Sequence, residues 1–381
     1  MQATQGRDFT REETVLAVSL ELSKKSWKVA LQDGKREKPA VYTVSSEVAA
    51  QRLSEAVTVI EKVKRQWGYE AGIRVVVIYE AGQDGFWIQR ALWGLGYEVL
   101  IIDPASIPVE RRARRVKTDR LDAIKLVLAL RAWLRGERDR MHVIRVPSVE
   151  AEAQRQLARD RGELQKEVGQ HRDRMRKLLR TVGCWDAVGD GFGERLSKGL
   201  MKCHDGSGLP PELHERLLRE CERLALVKKQ LAEVEASLVT KLPNDVRGRI
   251  GQLTRLKAIG PVGAMRLILE LFWRDFDNRR QVGSCIGLTP QPYDSGNSRV
   301  DQGISKQGNR RVRALLIEMA WLWLQYQPDS ALAQWFAQRT QGANKRSRRI
   351  AIVAVARRLA IALWRYLKDG VIPEGAKLKT A

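Results

Sequence analysis

Residues 14–22 read TVLAVSLEL and residues 73–80 read IRVVVIYE, two apolar runs that each carry a glutamate at or near the end. Runs of this length and composition are typical of strands buried on both faces of a sheet. The neighbouring segments alternate in the same way, with strand-like residues at 26–31 and 98–102 and helical spacing at 48–67, 84–95 and 118–134. This order predicts an α/β domain with a mixed sheet, at residues 1–146.

Two hydrophobic seams follow, in a part of the chain where the strand pattern disappears. Their members recur every seven residues: Leu157, Leu164, His171 and Leu178, then Leu217, Leu224, Leu231 and Leu238. Heptad spacing favours two long helices that pair as a hairpin, although either seam could instead pair with a second copy of the chain. We therefore predict a helical coiled-coil spacer at residues 147–245 and a mainly helical domain at residues 246–381.

The charge balance points to a polyanionic partner. The 381 residues contain 68 Lys and Arg against 45 Asp and Glu, which gives a formal net charge of +23. Such an excess is unusual for a metabolic enzyme and typical of proteins that bind nucleic acid. The hydrophobic fraction of 44% is sufficient for real cores, which excludes a disordered basic tail.

The cysteine spacing and the length of the apolar runs narrow the class of protein. The four cysteines show no C-x-x-C spacing, which argues against a zinc ribbon and a disulfide framework. No apolar run approaches the roughly 18 residues that span a bilayer, and the amino terminus lacks an apolar signal region. We expect a soluble cytoplasmic protein with no membrane contact.

Four carboxylates are candidates for a metal site. Glu21 and Glu80 lie at the ends of two predicted strands, while Asp119 and Asp122 project from one face of the following helix. Each acid alone could be a surface residue or a helix cap. Four acids at one sheet edge would repel each other without a divalent cation, and hard oxygen ligands favour Mg²⁺ or Mn²⁺. The set predicts a two-metal phosphodiester site.

Two basic runs are candidates for nucleic-acid binding. The first, at residues 109–117, lies directly before Asp119. The second, at residues 339–349, contains Gly, Asn and Ser and suggests a mobile loop that orders on nucleic acid. Their cations are Arg111, Arg112, Arg114, Arg115 and Lys117, then Lys345, Arg346, Arg348 and Arg349. A solvated charged loop is the alternative for the first run.

Four motifs together resemble the DEDD transposases of the insertion-sequence 110 family. They are KTDRLDA at residues 117–123, GLTP at 287–290, YDSG at 293–296 and GISKQGNRRVR at 303–313. The resemblance extends over nearly the whole chain. It implies a RuvC-like (RNase H-like) domain, a helical spacer and a carboxyl-terminal transposase domain, in that order.

The resemblance also implies roles for individual residues. The metal-binding acids would be Glu21, Glu80, Asp119 and Asp122, and the nucleophile would be Ser295. The first acid departs from the family pattern, because Glu21 in SLELSK stands where an aspartate is expected. A serine hydroxyl needs activation, and the sequence around it offers cations but no local base: Arg299, Lys306, Arg310 and Arg311.

Partners follow from the same resemblance. It implies donor and target DNA, a non-coding bridge RNA that base-pairs with both, and a homo-oligomer, dimer or tetramer, with composite active sites. The host would be bacterial or archaeal, with the protein near the nucleoid. In this arrangement the RNA chooses the sequence, while the protein contacts backbone and A-form shape.

The leading hypothesis is a site-specific DNA recombinase that forms a covalent phosphoserine intermediate. A RuvC-like Holliday-junction nuclease, which hydrolyses DNA with the acids alone, is the first alternative. A non-catalytic RNA-binding scaffold is the second.

Overall fold

The computed structural model describes residues 14–106, 118–295 and 298–379. It divides into two compact units, Met1–Val146 and Pro147–Ala381. Among the described residues, no helix combines the length and the apolar character needed to cross a membrane.

A six-stranded mixed sheet forms the first unit, with strand order β3-β2-β1-β4-β5-β6. Strands β1 and β4 are parallel, as are β4 and β5, while β2, β3 and β6 pair antiparallel to their neighbours. The bounds are β1 Val15–Leu22, β2 Trp27–Gln32, β3 Ala40–Val44, β4 Arg74–Glu80, β5 Glu98–Ile102 and β6 Val143–Ile144. The predicted α/β domain with a mixed sheet is confirmed. Sequence reasoning did not identify β3 or the two-residue β6.

Three helices cover the two faces of this sheet: α1 Ala49–Gln66, α2 Trp87–Gly94 and α3 Asp119–Leu134. Leu16, Val18 and Leu20 of β1 face the core shared with α1 and α2. The alternate residues Val15 and Ala17 pack instead against α3. Because β1 is buried on both faces, its sequence is an almost unbroken apolar run. Short 3₁₀ turns lie at Pro104–Ser106 and Arg138–Arg140.

In the second unit, two long helices form a hairpin, α4 Val149–Arg180 and α6 Pro211–Lys241. Leu164 and Val168 of α4 pack against Val227 of α6, so these seam faces meet within one chain. The glycine-rich connection contains a short helix, α5 Phe192–Ser197, whose Phe192 and Leu196 bury against the end of the hairpin.

A charged layer crosses the hairpin where the first seam contains a histidine. Glu220 of α6 is 2% exposed, and its carboxylate contacts His171 Nδ1 at 2.7 Å. The same carboxylate accepts hydrogen bonds from Arg174 at 2.9 Å and Arg223 at 2.7 Å. Burial alone would raise the pKa of the Glu220 carboxyl, but the hydrogen bonds from His171 and Arg174 outweigh it and lower that pKa. Glu220 is therefore a buried charge that is paired with its hydrogen-bond donors.

A Glu220→Ala variant is expected to lower the free energy of unfolding by about 2 kcal/mol, because it removes the buried carboxylate and leaves His171, 13% exposed, without its hydrogen-bond partner. Urea unfolding measures the loss, and exposed Glu233→Ala on the same helix is the control, with an effect below about 0.5 kcal/mol. Since the folded-state pKa of Glu220 is lowered, its contribution is complete above the unfolded pKa of about 4.3 and disappears as pH falls through the folded pKa. Equal losses in both variants would contradict a paired layer.

The rest of the second unit is mainly helical around one core. Its elements are α7 Asn244–Thr254, α8 Pro261–Glu270, α9 Arg279–Cys285, β7 Pro290–Ser295, β8 Ser298–Ile304, α10 Arg310–Tyr326, α11 Ala331–Thr340 and α12 Lys345–Asp369. Leu267, Leu316, Trp323 and Leu359 are among its fully buried residues. The indole of Trp323 donates a hydrogen bond to Ser330 Oγ at 2.9 Å, which satisfies its one polar group.

Two segments of this unit differ from the sequence prediction. The glycine- and serine-rich stretch after residue 290 has a composition typical of loops, but it forms the antiparallel hairpin β7–β8. In the second basic run, expected as a mobile loop at residues 339–349, only residues 341–344 connect two helices, and residues 345–349 begin α12. Asn344 Oδ1 caps that helix by accepting a hydrogen bond from the Ser347 amide at 2.9 Å. Lysine and arginine are good helix formers, so a basic run is compatible with a helix. The asparagine before it is a typical helix cap and was the more informative sign that a helix begins here.

Candidate active site

Two acids lie side by side at the carboxyl edge of the first sheet. Leu20 of β1 is the register partner of Tyr79 of parallel β4, so the next residues, Glu21 and Glu80, are level with each other. Side chains alternate along a strand, and Ala17 and Ile78 of these strands pack against α3. Glu21 and Glu80 therefore share the sheet face that α3 covers.

The start of α3 supplies the other two acids. Thr118 caps the helix, its hydroxyl accepting a hydrogen bond from the Leu121 amide at 3.3 Å. Asp119 and Asp122 both lie in the first turn. The fully buried Ser19 hydroxyl of β1 donates to the Ala123 carbonyl at 2.7 Å. Because Ser19 is two residues before Glu21, this bond fixes the helix start at the end of the sheet that carries the glutamates.

The chemistry of this donor set fits Mg²⁺ or Mn²⁺, since all four groups are carboxylates. The side chains are not gathered into a coordination shell: within residues 14–106, 118–295 and 298–379, no three His, Cys, Asp or Glu side chains are close enough to hold a metal. The Asp122 carboxylate, 24% exposed, lies 3.8 Å from the Lys125 ammonium. Ligation by Glu21, Glu80, Asp119 and Asp122 stays a prediction.

Sequence reasoning missed two residues at this edge. Ser19 is a polar residue inside a run of buried apolar residues, which was the available signal. Its hydrogen bond to α3 explains why a serine is present at this buried position. Asp103 directly follows β5, the strand beside β4, and its amide donates to the His142 carbonyl at 2.9 Å. Its position after a short apolar run was the available signal.

Ser295 is the last residue of β7, and its register partner across the hairpin is Ser298 of β8. Arg299 pairs in the same ladder with Asp294. The side chains of residues 293–301 lie outside the described part of the structure, as do residues 107–117 with Arg111, Arg112, Arg114, Arg115 and Lys117. The backbone places Ser295 where the hairpin turns.

The base of this hairpin is held by close backbone packing between two of the quoted motifs. Gly287 and Gly308 both have a positive φ, 64° and 79°. An added Cβ would lie 1.9 Å from the Gln307 carbonyl oxygen at the first and 2.1 Å from the Cys285 carbonyl oxygen at the second. The Lys306 amide donates to the Gly287 carbonyl at 3.1 Å. GLTP and GISKQGN therefore form one backbone joint, for which glycine is required.

A Gly308→Ala variant is expected to lower the free energy of unfolding by about 3 kcal/mol or more, because the new methyl group meets a backbone carbonyl that cannot rotate away. Gly370→Ala is the matched control: its φ is also positive, at 71°, but an added Cβ has no neighbour within 4 Å. The control is expected to lose only about 1 kcal/mol. Thermal unfolding of both variants tests this, and similar losses would contradict the close approach.

The cations near Ser295 in sequence have different surroundings. Lys306 adopts a left-handed conformation in the joint, with φ 56°. Arg310 and Arg311 begin α10, and Arg311 pairs with Glu163 of α4 at 3.1 Å. Lys345, Arg346, Arg348 and Arg349 are exposed on the first turns of α12. All of these described cations can reach solvent and an approaching polyanion.

Comparisons with known proteins agree along the chain. A family model for DEDD transposases of the IS110 type matches residues 21–183, and another, described as the transposase IS116/IS110/IS902 family, matches residues 251–334. "Putative transposase y4rJ" of Sinorhizobium fredii (strain NBRC 101917 / NGR234) is 39% identical over 375 residues, which cover 95% of this chain and 94% of that protein. The chain belongs to the IS110 family of DEDD transposases. The transposase for insertion sequence element IS1328 of Yersinia enterocolitica is 25% identical over 301 residues, 78% of this chain and 85% of that protein.

Membership of the IS110 family makes this protein a DNA transposase, and the predicted family is confirmed. The first matched segment begins at Glu21 and contains the other three acids, and the second contains Ser295 with its hairpin. The DEDD type indicates that this IS110 transposase uses a divalent metal ion.

Proposed function

We propose that this transposase cuts and rejoins DNA through a covalent phosphoserine intermediate at Ser295. The Ser295 oxygen attacks the phosphorus of a DNA phosphodiester and loses its proton to a basic group. The bond from phosphorus to one sugar oxygen breaks, and that oxygen takes up a proton and becomes a free hydroxyl. A hydroxyl from another strand then attacks the phosphoserine, which restores Ser295 and completes strand exchange.

The observation that carries the proposal is the level pairing of Glu21 and Glu80 beneath the acidic start of α3, in a chain that belongs to a DNA transposase family. These two residues, with Asp119 and Asp122, would hold Mg²⁺ or Mn²⁺. When bound, the ion supplies positive charge that stabilises a phosphodiester as it gains negative charge.

The cations have a complementary role in the proposal. Arg299, Lys306, Arg310 and Arg311 stabilise the serine oxygen and the five-coordinate phosphate as negative charge develops. The runs at residues 111–117 and 345–349 hold the nucleic-acid backbone. In this proposal residues 1–146 form the RuvC-like metal-binding domain, 147–245 the helical spacer and 246–381 the domain that carries the nucleophile.

The products separate this proposal from its alternatives. Incubation of the full chain with transposon-end DNA and Mg²⁺, followed by denaturing electrophoresis, is expected to show protein attached to DNA. A RuvC-like Holliday-junction nuclease would leave only free ends. An RNA-binding scaffold would bind without metal and cut nothing.

We also propose that a non-coding bridge RNA selects the donor and target DNA, and that the protein acts at the nucleoid as a dimer or tetramer. The support is the family membership and a net charge of +23, enough to hold two nucleic acids. Purification from the native host with sequencing of the bound RNA tests this. One dominant structured RNA from the flank of the gene is expected, whereas a random mixture would contradict RNA guidance.

A further inference from the structure

A cavity of about 280 Å³ lies between α4, α8 and α10 in the second unit. Six charged side chains line it: Arg159, Glu163, Lys166, Arg266, Glu270 and Arg311. Its volume is close to the lower end of the range for sites that bind small groups. The four cations exceed the two acids by two charges, so the cavity is positive.

The two acids of the cavity are already paired. Glu270, 5% exposed, accepts two hydrogen bonds from Arg159, from Nε at 2.7 Å and from Nη2 at 3.0 Å. Burial alone would raise the pKa of the Glu270 carboxyl, but Arg159 and Asn309 lower it, so the group is ionised. Glu163 pairs with Arg311. Both acids are therefore neutralised by a cation of the same cavity.

The pairing of Arg159 also fixes its geometry. A guanidinium has five N–H donors, and the two-point contact with Glu270 occupies one edge of the group. The Arg159 side chain is still 35% exposed, so its remaining donors are available to a ligand. An arginine held in this way loses little freedom when it binds an anion.

Two cations of the cavity are left over. The side chains of Lys166 and Arg266 make no hydrogen bond or ion pair with any residue in the described ranges. Arg155 is a further cation on the same helix: burial lowers the pKa of its guanidinium, and the charge of Arg159 lowers it further. Two unpaired cations beside an oriented arginine form a site where more than one side chain can bind the same oxyanion.

We propose that this cavity binds a phosphate group of a nucleic-acid strand, held by Lys166, Arg266 and Arg159. The choice of ligand rests on the proposed function only in that the protein handles nucleic acid, and it does not depend on the phosphoserine chemistry. DNA and RNA offer the same phosphodiester, and free phosphate offers related chemistry.

Gly162 provides a test that removes no charge. It lies on α4 and lines the cavity, and an added Cβ there has no neighbour within 4 Å. A Gly162→Leu side chain would fill the cavity, while the loss of a mid-helix glycine favours α4. Gly169→Leu is the matched control, because Gly169 lies seven residues further along the same helix, has the same open space and does not line the cavity.

The full chain is titrated with fluorescent duplex DNA and with fluorescent RNA across a salt series. Gly162→Leu is expected to weaken binding of at least one of the two by about tenfold and to reduce the slope of log affinity against log salt by about one. Gly169→Leu is expected to bind like the wild type. The nucleic acid affected identifies the strand that occupies the cavity.

Charge removal gives a second measurement. The double variant Lys166→Gln/Arg266→Gln is compared with Lys177→Gln/Arg249→Gln, which removes two cations from α4 and α7 away from the cavity. The first pair is expected to reproduce the effect of Gly162→Leu, and the second to have a smaller effect. Equal losses in the two double variants, or wild-type binding by Gly162→Leu, would overturn the proposal.

Inorganic phosphate tests the remaining possibility, that the cavity binds free phosphate and not a nucleic-acid strand. If it raises the melting temperature of the wild type but not of Gly162→Leu, while nucleic-acid binding is the same in both, the cavity holds free phosphate and the proposal is wrong. A wild-type protein that binds DNA and RNA but forms no covalent adduct would contradict the phosphoserine proposal alone.

Discussion

A Ser295→Ala variant is expected to lose the covalent protein–DNA adduct while its DNA affinity stays the same. Without the hydroxyl there is no oxygen to attack the phosphorus, and loss of a nucleophile costs a factor of about 10⁴ or more in rate. The variant removes one oxygen from the last residue of β7 and changes none of the residues that form the helical core around Trp323. The measurement is the fraction of labelled DNA end that migrates with the protein in a denaturing gel.

Ser298→Ala is the control for this experiment. Ser298 is the register partner of Ser295 across the β7–β8 hairpin, so the substitution makes the same chemical change on the opposite strand. It is expected to form the adduct at the wild-type level. An undiminished adduct in Ser295→Ala would rule out this serine as the nucleophile, and its loss in Ser298→Ala alone would assign the role to that residue.

Asp122→Asn is expected to reduce strand cleavage by about a thousandfold, with nucleic-acid binding retained. The amide has the shape of the carboxylate but lacks its negative charge, so it is a poor ligand for a hard divalent cation. A lost metal contact removes several kcal/mol of transition-state stabilisation, and about 4 kcal/mol corresponds to this factor. Single-turnover cleavage at saturating Mg²⁺ measures the rate, and anisotropy of labelled DNA measures binding.

Asp119→Asn is expected to behave like Asp122→Asn, since both residues lie in the first turn of α3. Asp139→Asn makes the same change on the 3₁₀ turn Arg138–Arg140 of the same unit. Arg138 stacks on Trp133 at the far end of α3 from the two aspartates, and the variant is expected to cleave normally. Full cleavage by both α3 variants would contradict the metal-site prediction. Loss of binding in either would instead indicate a structural role for that aspartate.

The sheet and its acidic edge were predictable because burial on two faces produces long apolar runs in β1 and β4. The glutamates end those runs, and parallel strands end at the same edge. The sequence predicted that the aspartates of α3 join this edge, but the contact that fixes the helix there was not predictable, since the Ser19 hydroxyl reaches the Ala123 carbonyl across the fold. Local patterns do not record contacts of this kind.

In the second unit, the main functional features could not be predicted from local sequence patterns. The β7–β8 hairpin has a composition typical of loops, and its position depends on carbonyls that pack against Gly287 and Gly308. The charged layer was visible only as a histidine that weakens a heptad seam. Its partner Glu220 lies seven residues before Val227, at the same heptad position, but as a charged residue it was not counted in the hydrophobic seam. In the sequence, Glu270 is likewise an ordinary helix residue, and only the structure shows that Arg159 of α4 pairs with it.

The bond between Ser19 and Ala123 joins residues that are 104 positions apart. A ribosome therefore finishes Glu21 and Glu80 long before it makes the aspartates of α3, and the N-terminal part of a domain emerges first during synthesis. A nascent or prematurely terminated chain that stops before α3 carries half of the acidic set and lacks the hairpin with Ser295. If the proposed site residues are correct, the ability to cleave DNA arises late in translation, and such fragments would be unable to cut DNA.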